Sequence, residues 1–208
     1  MITKTINILA VLILLVSISG CIVVKHDDKV DDKPLILNLS PQPELTMSEI
    51  MIRSISGDMI AYLPRDWFLV NMEETAPTDV IAVAVNPEYS ICVVFSLIRK
   101  GDKIDELFAK EGLLGIARLS LERRAKKTAA SVHQIGKYST ITMGPRNFSK
   151  YEYANADNSM NGISAVYKSS LDEYYEMSVF SMNLKGIVLP TRDDIVKVFN
   201  SILTTVQY

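Results

Sequence analysis

The sequence predicts an α+β fold in which an antiparallel sheet is covered by helices. Three observations carry this. Short β-branched runs bounded by Gly, Pro and Asn turns recur from Ile50 to Ile98 and again from Tyr138 to Met182. Between them Ile104, Leu107, Phe108, Leu114 and Leu121 repeat at helical spacing. At the end of the chain Ile195, Val198, Phe199, Ile202, Leu203 and Val206 make one apolar helix face. Strands, a long helix, more strands and a final helix, in that order, describe helices packed on a sheet.

A segment of another kind precedes these elements. Lys4 is followed by the apolar run INILAVLILLV, Ile6 to Val16. That is shorter than the roughly 20 residues a bilayer core needs, and it suits the h-region of a secretory signal. The run closes on Ile18-Ser19-Gly20-Cys21, which resembles the lipobox of bacterial lipoproteins. The resemblance implies cleavage before Cys21 and diacylation of its thiol, by palmitate among other chains. It also implies a chain held in the cell envelope outside the cytoplasm, in the periplasm or at the cell surface. Two acyl chains anchor stably, because each buried methylene contributes about 0.8 kcal/mol. The expected organisation is a signal peptide over 1–20, a lipid-anchored tether over 21–46 and a folded domain over 47–208.

The tether reading rests on composition. KHDDKVDDKP alternates charges of both signs, and LSPQPEL carries Pro41 and Pro43, which favour extended backbone. His26, Asp27, Asp28, Asp31 and Asp32 read as solvated linker residues, since a metal site needs ligands that converge. The apolar LILNL is the exception, packing on the domain or lying at the headgroups. A net charge of −2 provides no general field for nucleic acid. Of two cysteines, lipid on Cys21 leaves Cys92 alone. No intrachain disulfide then forms, and stability rests on a hydrophobic core.

The domain elements follow in order. Ile50 to Ile55 and Met59 to Leu63 flank Gly57-Asp58 and predict a hairpin. Pro64 breaks the second strand, and Trp67, just beyond it, is expected to be buried. Val80 to Val85 and Ser90 to Ile98 flank the Asn86-Pro87 turn, and the apolar ICVVFSLI predicts a strand buried on both faces. Cys92 within it reads as a small buried hydrophobe. From Asp102 to Lys127 the helix has acids early and bases late, as its dipole favours, and Gly112 and Gly115 are placed to split it. Arg118, Arg123, Arg124, Lys126 and Lys127 form the densest basic cluster. It reads as a solvated helix end or as a contact with anionic lipid heads or an acidic partner. Strands are expected over Tyr138–Met143, Phe148–Tyr153, Gly162–Tyr167 and Glu173–Met182. Tyr151, Tyr153, Tyr167, Tyr174 and Tyr175 serve there as packing residues of the sheet. Thr191 is placed to cap the last helix, with Asp193 and Asp194 at its positive end.

GDMIAYLPRDWFLV, a strand ending at Pro64 with Trp67 shortly after, is similar to the opening of PsbP-like domains. DDIVKVFNSILTTV resembles their C-terminal helix. The resemblance implies an α/β/α sandwich, a fold shared by photosystem extrinsic proteins, a Ran-binding import factor and DcrB-type bacterial lipoproteins. The last group is closest in size and anchoring. No family site motif is matched, so no functional residue is carried over.

Catalytic chemistry finds no foothold. His133 is the only histidine of the domain, with no nucleophile elbow, glycine-rich phosphate loop, H-E-x-x-H or C-x-x-C in the chain. Asp172, Glu173 and Glu176 read as exposed turn and strand residues. The expectation is a non-catalytic, membrane-anchored envelope lipoprotein, without metal or cofactor, that binds an envelope protein and assists a complex. The alternative is a small-ligand or lipid-binding module with a pocket between sheet and helices.

Overall fold

The computed structural model describes residues 34–40, 42–72, 77–128 and 131–208. Cys21, the signal segment and the charged stretch from His26 to Asp32 lie outside the described residues. Among the described residues ten strands and two helices follow in chain order: β1 (Leu35–Asn38), β2 (Met47–Arg53), β3 (Ile60–Pro64), β4 (Phe68–Leu69), β5 (Val80–Val85), β6 (Ile91–Ile98), α1 (Asp102–Lys127), β7 (Val132–Met143), β8 (Arg146–Asn155), β9 (Asn161–Lys168), β10 (Tyr174–Ser181) and α2 (Arg192–Thr205). Eight strands form one sheet in the order β1-β7-β8-β9-β10-β6-β5-β4, and β2 and β3 form the expected hairpin as a separate ribbon. Ile55, expected in the hairpin's first strand, sits instead at its fully exposed turn.

Strands β7 to β10 run as a meander because each turn is short and has a residue able to take positive φ. Met143 pairs with Arg146, leaving Gly144-Pro145 as a two-residue turn with Gly144 at φ 60°. Glycine first in such a turn matches the twist of the flanking strands. Strand β10 then returns across the molecule to pair with β6, Tyr174 opposite Ile98 and Phe180 opposite Cys92.

Period two divides each central strand between two cores. Tyr175, Met177 and Val179 face one side, with Phe148, Tyr167, Trp67 and the α2 residues Phe199, Ile202 and Leu203. Tyr174, Tyr151, Tyr153 and Val166 face the other, against Ile104, Ile116, Ala117 and Leu121 of α1. All five tyrosines are no more than 1% exposed, so their role is packing. The result is the expected α/β/α sandwich. Helix α2 opens on a capping box in which Thr191 Oγ accepts from the Asp194 amide and the Asp194 carboxylate accepts from the Thr191 amide. Helix α1 breaks regularity at Gly112 (φ 63°, ψ −153°). Gly115 remains helical, with Leu107 close beside it.

One boundary moves. The tether was expected to run to residue 46, yet Leu35–Asn38 is a strand, paired parallel with Ser139–Thr142 of β7. The Glu44 and Leu45 amides then donate to Ser201 Oγ on α2. A four-residue edge strand has no turn or alternation of its own to announce it, and its register comes entirely from β7. That pairing also makes the sheet mixed where a purely antiparallel one was expected.

Gly162 lies opposite Tyr153 in the β8–β9 ladder. A Cβ there would stand 2.3 Å from the Tyr153 ring, and that ring is buried with nowhere to move. Gly162→Ala is expected to lower stability by about 1–3 kcal/mol through overpacking, measured by urea denaturation. An unchanged midpoint would show that the ring can shift freely.

Candidate functional site

The apolar stripe of α1 carries two polar residues one turn apart, Ser120 and Arg124, and both point at the sheet. Opposite them, alternation along β10 puts Glu176 and Ser178 on the α1 face beside Tyr174. Glu176 is 5% exposed, which corrects the expectation that it is a surface residue. Its carboxylate accepts from Ser120 Oγ at 2.6 Å, from Arg124 Nη2 at 3.0 Å and from the Tyr151 hydroxyl. Arg124 Nη2 also donates to Ser178 Oγ at 2.8 Å, and Ser178 bonds Ser164 at 2.7 Å. The guanidinium lies over the Tyr153 ring at 4.6 Å. Burial pushes the Glu176 carboxyl up, but Arg124 and the Ser120 and Tyr151 hydroxyls outweigh it and hold the group below its ordinary range.

This network floors a cleft of about 400 Å³ between the last turns of α1 and strands β5, β6 and β10. Val80, Val94 and Ile98 give it apolar wall, and Ser96 lies among them. Its rim carries Arg99, Arg123 and Lys127, with Asp79 opposite in sign.

The five cations expected to act as one patch are divided by the helix. Arg118 pairs with Glu111 at 3.1 Å and lies over Tyr138. Lys126 pairs with Glu122 one turn back at 3.2 Å. Arg124 turns inward to Glu176, a correction to its expected place on an exposed surface. Arg123 and Lys127 face the cleft, where Arg99 joins them from the end of β6. Sequence reasoning missed Arg99 because nothing local links it to α1. Glu176 was missed because it follows Asp172 and Glu173 closely in the sequence, so composition reads all three as a solvated turn and strand end.

Other groups singled out earlier are engaged or remote. The Cys92 thiol is buried and pushed up to about 12 by desolvation. His133 is exposed on β7, in register with Ala154. Asp58, at the β2–β3 turn, accepts from the hydroxyls of Ser54, Ser56, Tyr175 and Ser169. Burial raises its pKa, but these four donors outweigh it and hold the carboxyl well below its ordinary value. They tie the hairpin to the sheet. Among the described residues no group of three or more His, Cys, Asp or Glu is placed to hold a metal ion, and no helix is long and apolar enough to cross a membrane.

A second concavity of about 650 Å³ lies between α2 and the loop before it, bordered by Trp67, Val188 and Leu189. Val188 is 86% exposed. Among the described residues, Lys197 is its one cation, against Glu88 and Asp194. It therefore has none of the charge excess of the cleft under α1.

The architecture has a solved counterpart. Cyanobacterial PsbP (CyanoP) from Synechocystis sp. PCC 6803 superposes with a TM-score of 0.58 over 78% of this chain and 93% of that one, at 12% identity. The fold is PsbP-like. Looser matches are a mutant of Mog1, with a TM-score of 0.45, 13% identity and coverage of 77% of this chain and 96% of that one. LpqN, involved in cell envelope biogenesis of Mycobacterium tuberculosis, gives 0.39 and 14%, covering 78% and 92%. These two add nothing to the assignment. No protein-family model and no curated protein sequence matches the chain. At such identities the PsbP-like fold carries architecture alone, and function has to be argued from the site.

Proposed function

We propose that this chain is a membrane-anchored envelope lipoprotein that works by binding, without catalysis, as an assembly or maintenance accessory of an envelope protein complex. The observation that carries the reading is the division of its chemistry. Glu176, Asp58 and Cys92, the groups best suited to act on a substrate, are occupied by internal hydroxyls and a guanidinium or sealed by apolar packing. The unoccupied chemistry is recognition chemistry: a basic cleft rim and exposed apolar side chains such as Val188 and Leu189. The lipobox-like Ile18-Ser19-Gly20-Cys21 supports the anchor, and the finer likeness to DcrB-type lipoproteins belongs to this proposal. The cleft between sheet and helix favours a second reading, a ligand- or lipid-binding lipoprotein.

Cys21→Ser is expected to accumulate as an unlipidated precursor, while the parent chain incorporates radiolabelled palmitate and sediments with membranes. Palmitate on the variant would remove the anchor from the proposal. Affinity capture of the lipidated chain from its own membrane, read by mass spectrometry, tests the accessory role. Recovery of no protein beyond the background of an unrelated lipoprotein would sink it.

A further inference from the structure

The rim of the cleft under α1 holds more positive charge than the described residues around it balance. Arg99, Arg123 and Lys127 have no carboxylate or hydrogen-bond partner among the described residues. Among the described residues, Asp79 is the one acid they share the cleft with besides Glu176, which Arg124 already neutralises. Counted over the described residues, three cations against one acid leave an excess of two charges. Compensation of the helix C-terminus accounts for about half a charge, so it does not explain them. One further feature marks the inside: the Ser96 hydroxyl, on the cleft wall, is without a partner among the described residues. The volume, about 400 Å³, falls within the roughly 300–1,000 Å³ of small-molecule sites.

We propose that this cleft binds a phosphate monoester, carried either by a lipid headgroup or by a soluble compound. A monoester brings about −1.5 to −2 charges and three acceptor oxygens, matching the excess at the rim. A carboxylate brings one charge and leaves the site half-neutralised. Arg99 and Arg123 offer planar guanidinium forks, the geometry best suited to phosphate oxygens. Val80, Val94 and Ile98 receive the apolar part of the ester. The inference rests on the binding reading of the protein, in its ligand form.

The test is calorimetric titration of the full-length chain, held in neutral detergent micelles, with four probes: glycerol phosphate, dihexanoyl phosphatidic acid, hexanoate and uncharged dihexanoylglycerol. Saturable binding of a phosphate probe is expected, weakening as salt is raised. Each of Arg99→Gln, Arg123→Gln and Lys127→Gln should weaken it by roughly tenfold, as loss of one charge-assisted bond does. Lys185→Gln, an exposed cation away from the cleft, should leave it unchanged. Binding of both phosphate probes identifies a soluble ester as sufficient, and binding of phosphatidic acid alone identifies a lipid. The proposal is overturned if neither phosphate probe binds, if hexanoate binds as well as they do, or if the three cleft variants bind like the parent. The three side chains are exposed, so the variants fold, and circular dichroism verifies that. Palmitate labelling is indifferent to these changes, so failure of the cleft and failure of the anchor are separate results.

Discussion

Arg124→Ala is expected to lower the stability of the domain by about 3–5 kcal/mol at neutral pH. The variant strands Glu176, 5% exposed, as a buried carboxylate whose main electrostatic partner has gone. Two hydroxyls, from Ser120 and Tyr151, still donate to it, but they do not cancel a charge. The pH dependence distinguishes this from loss of packing. In the parent the Glu176 carboxyl sits below its ordinary value of 4.5. Its contribution is therefore fully present above that value and fades as pH falls through the lower folded one. In the variant, burial remains and the Arg124 attraction is lost, so the folded value rises above the ordinary one. The carboxyl then takes up a proton on mild acidification, and the penalty shrinks. Urea midpoints of parent and variant should converge between neutral pH and the ordinary carboxylate range. A gap that stays constant with pH would make Arg124 a packing residue. Replacing both partners together by apolar residues of similar volume, Arg124→Leu with Glu176→Met, should restore most of the loss.

Trp67→Ala is expected to cost about 3–5 kcal/mol. The ring is 5% exposed and belongs to the core that joins α2, the β2–β3 ribbon and the sheet. Asp66, at φ 66°, lies in the turn that the Trp67 amide closes onto the Pro64 carbonyl. Trp67 is the only tryptophan, so the denaturation has to be followed by circular dichroism. Trp67→Leu, which keeps part of the apolar volume, should fall between the two. A midpoint unmoved in Trp67→Ala would assign the ring to the concavity beside Val188 and make it a binding anchor, a role tryptophan often fills.

The two effects differ in how far the sequence announces them. Burial of Trp67 follows from local features, a strand ended by proline and a large aromatic just past the break. The Arg124–Glu176 pair is joined across 52 positions, and each partner alone reads as something else. Arg124 sits among Arg123, Lys126 and Lys127, and Glu176 sits beside Asp172 and Glu173, so composition points both toward solvent. The helix phase of Arg124 relative to Ser120 and Leu121, and the strand phase of Glu176 relative to Tyr174, do contain the answer. It becomes readable once α1 is known to lie across β10.

Within this protein, then, period and capping in the sequence determined what the elements are. Thr191 and Asp194 start α2, Gly112 breaks α1, alternation sorts Tyr174 from Tyr175, and the strands separate at their turns. These signals reach a few residues, because they arise from backbone geometry and from which side chains share a face. Only the tertiary structure decided which faces meet. It drew Leu35–Asn38 out of the tether onto β7 and brought β10 back beside β6. It also divided the basic cluster among the Glu111 and Glu122 pairs, the Glu176 network and the cleft, and added Arg99 to the last. The physical reason is that contacts between distant segments depend on loop closure and on the fit of two surfaces. Neither leaves a repeating pattern along the chain.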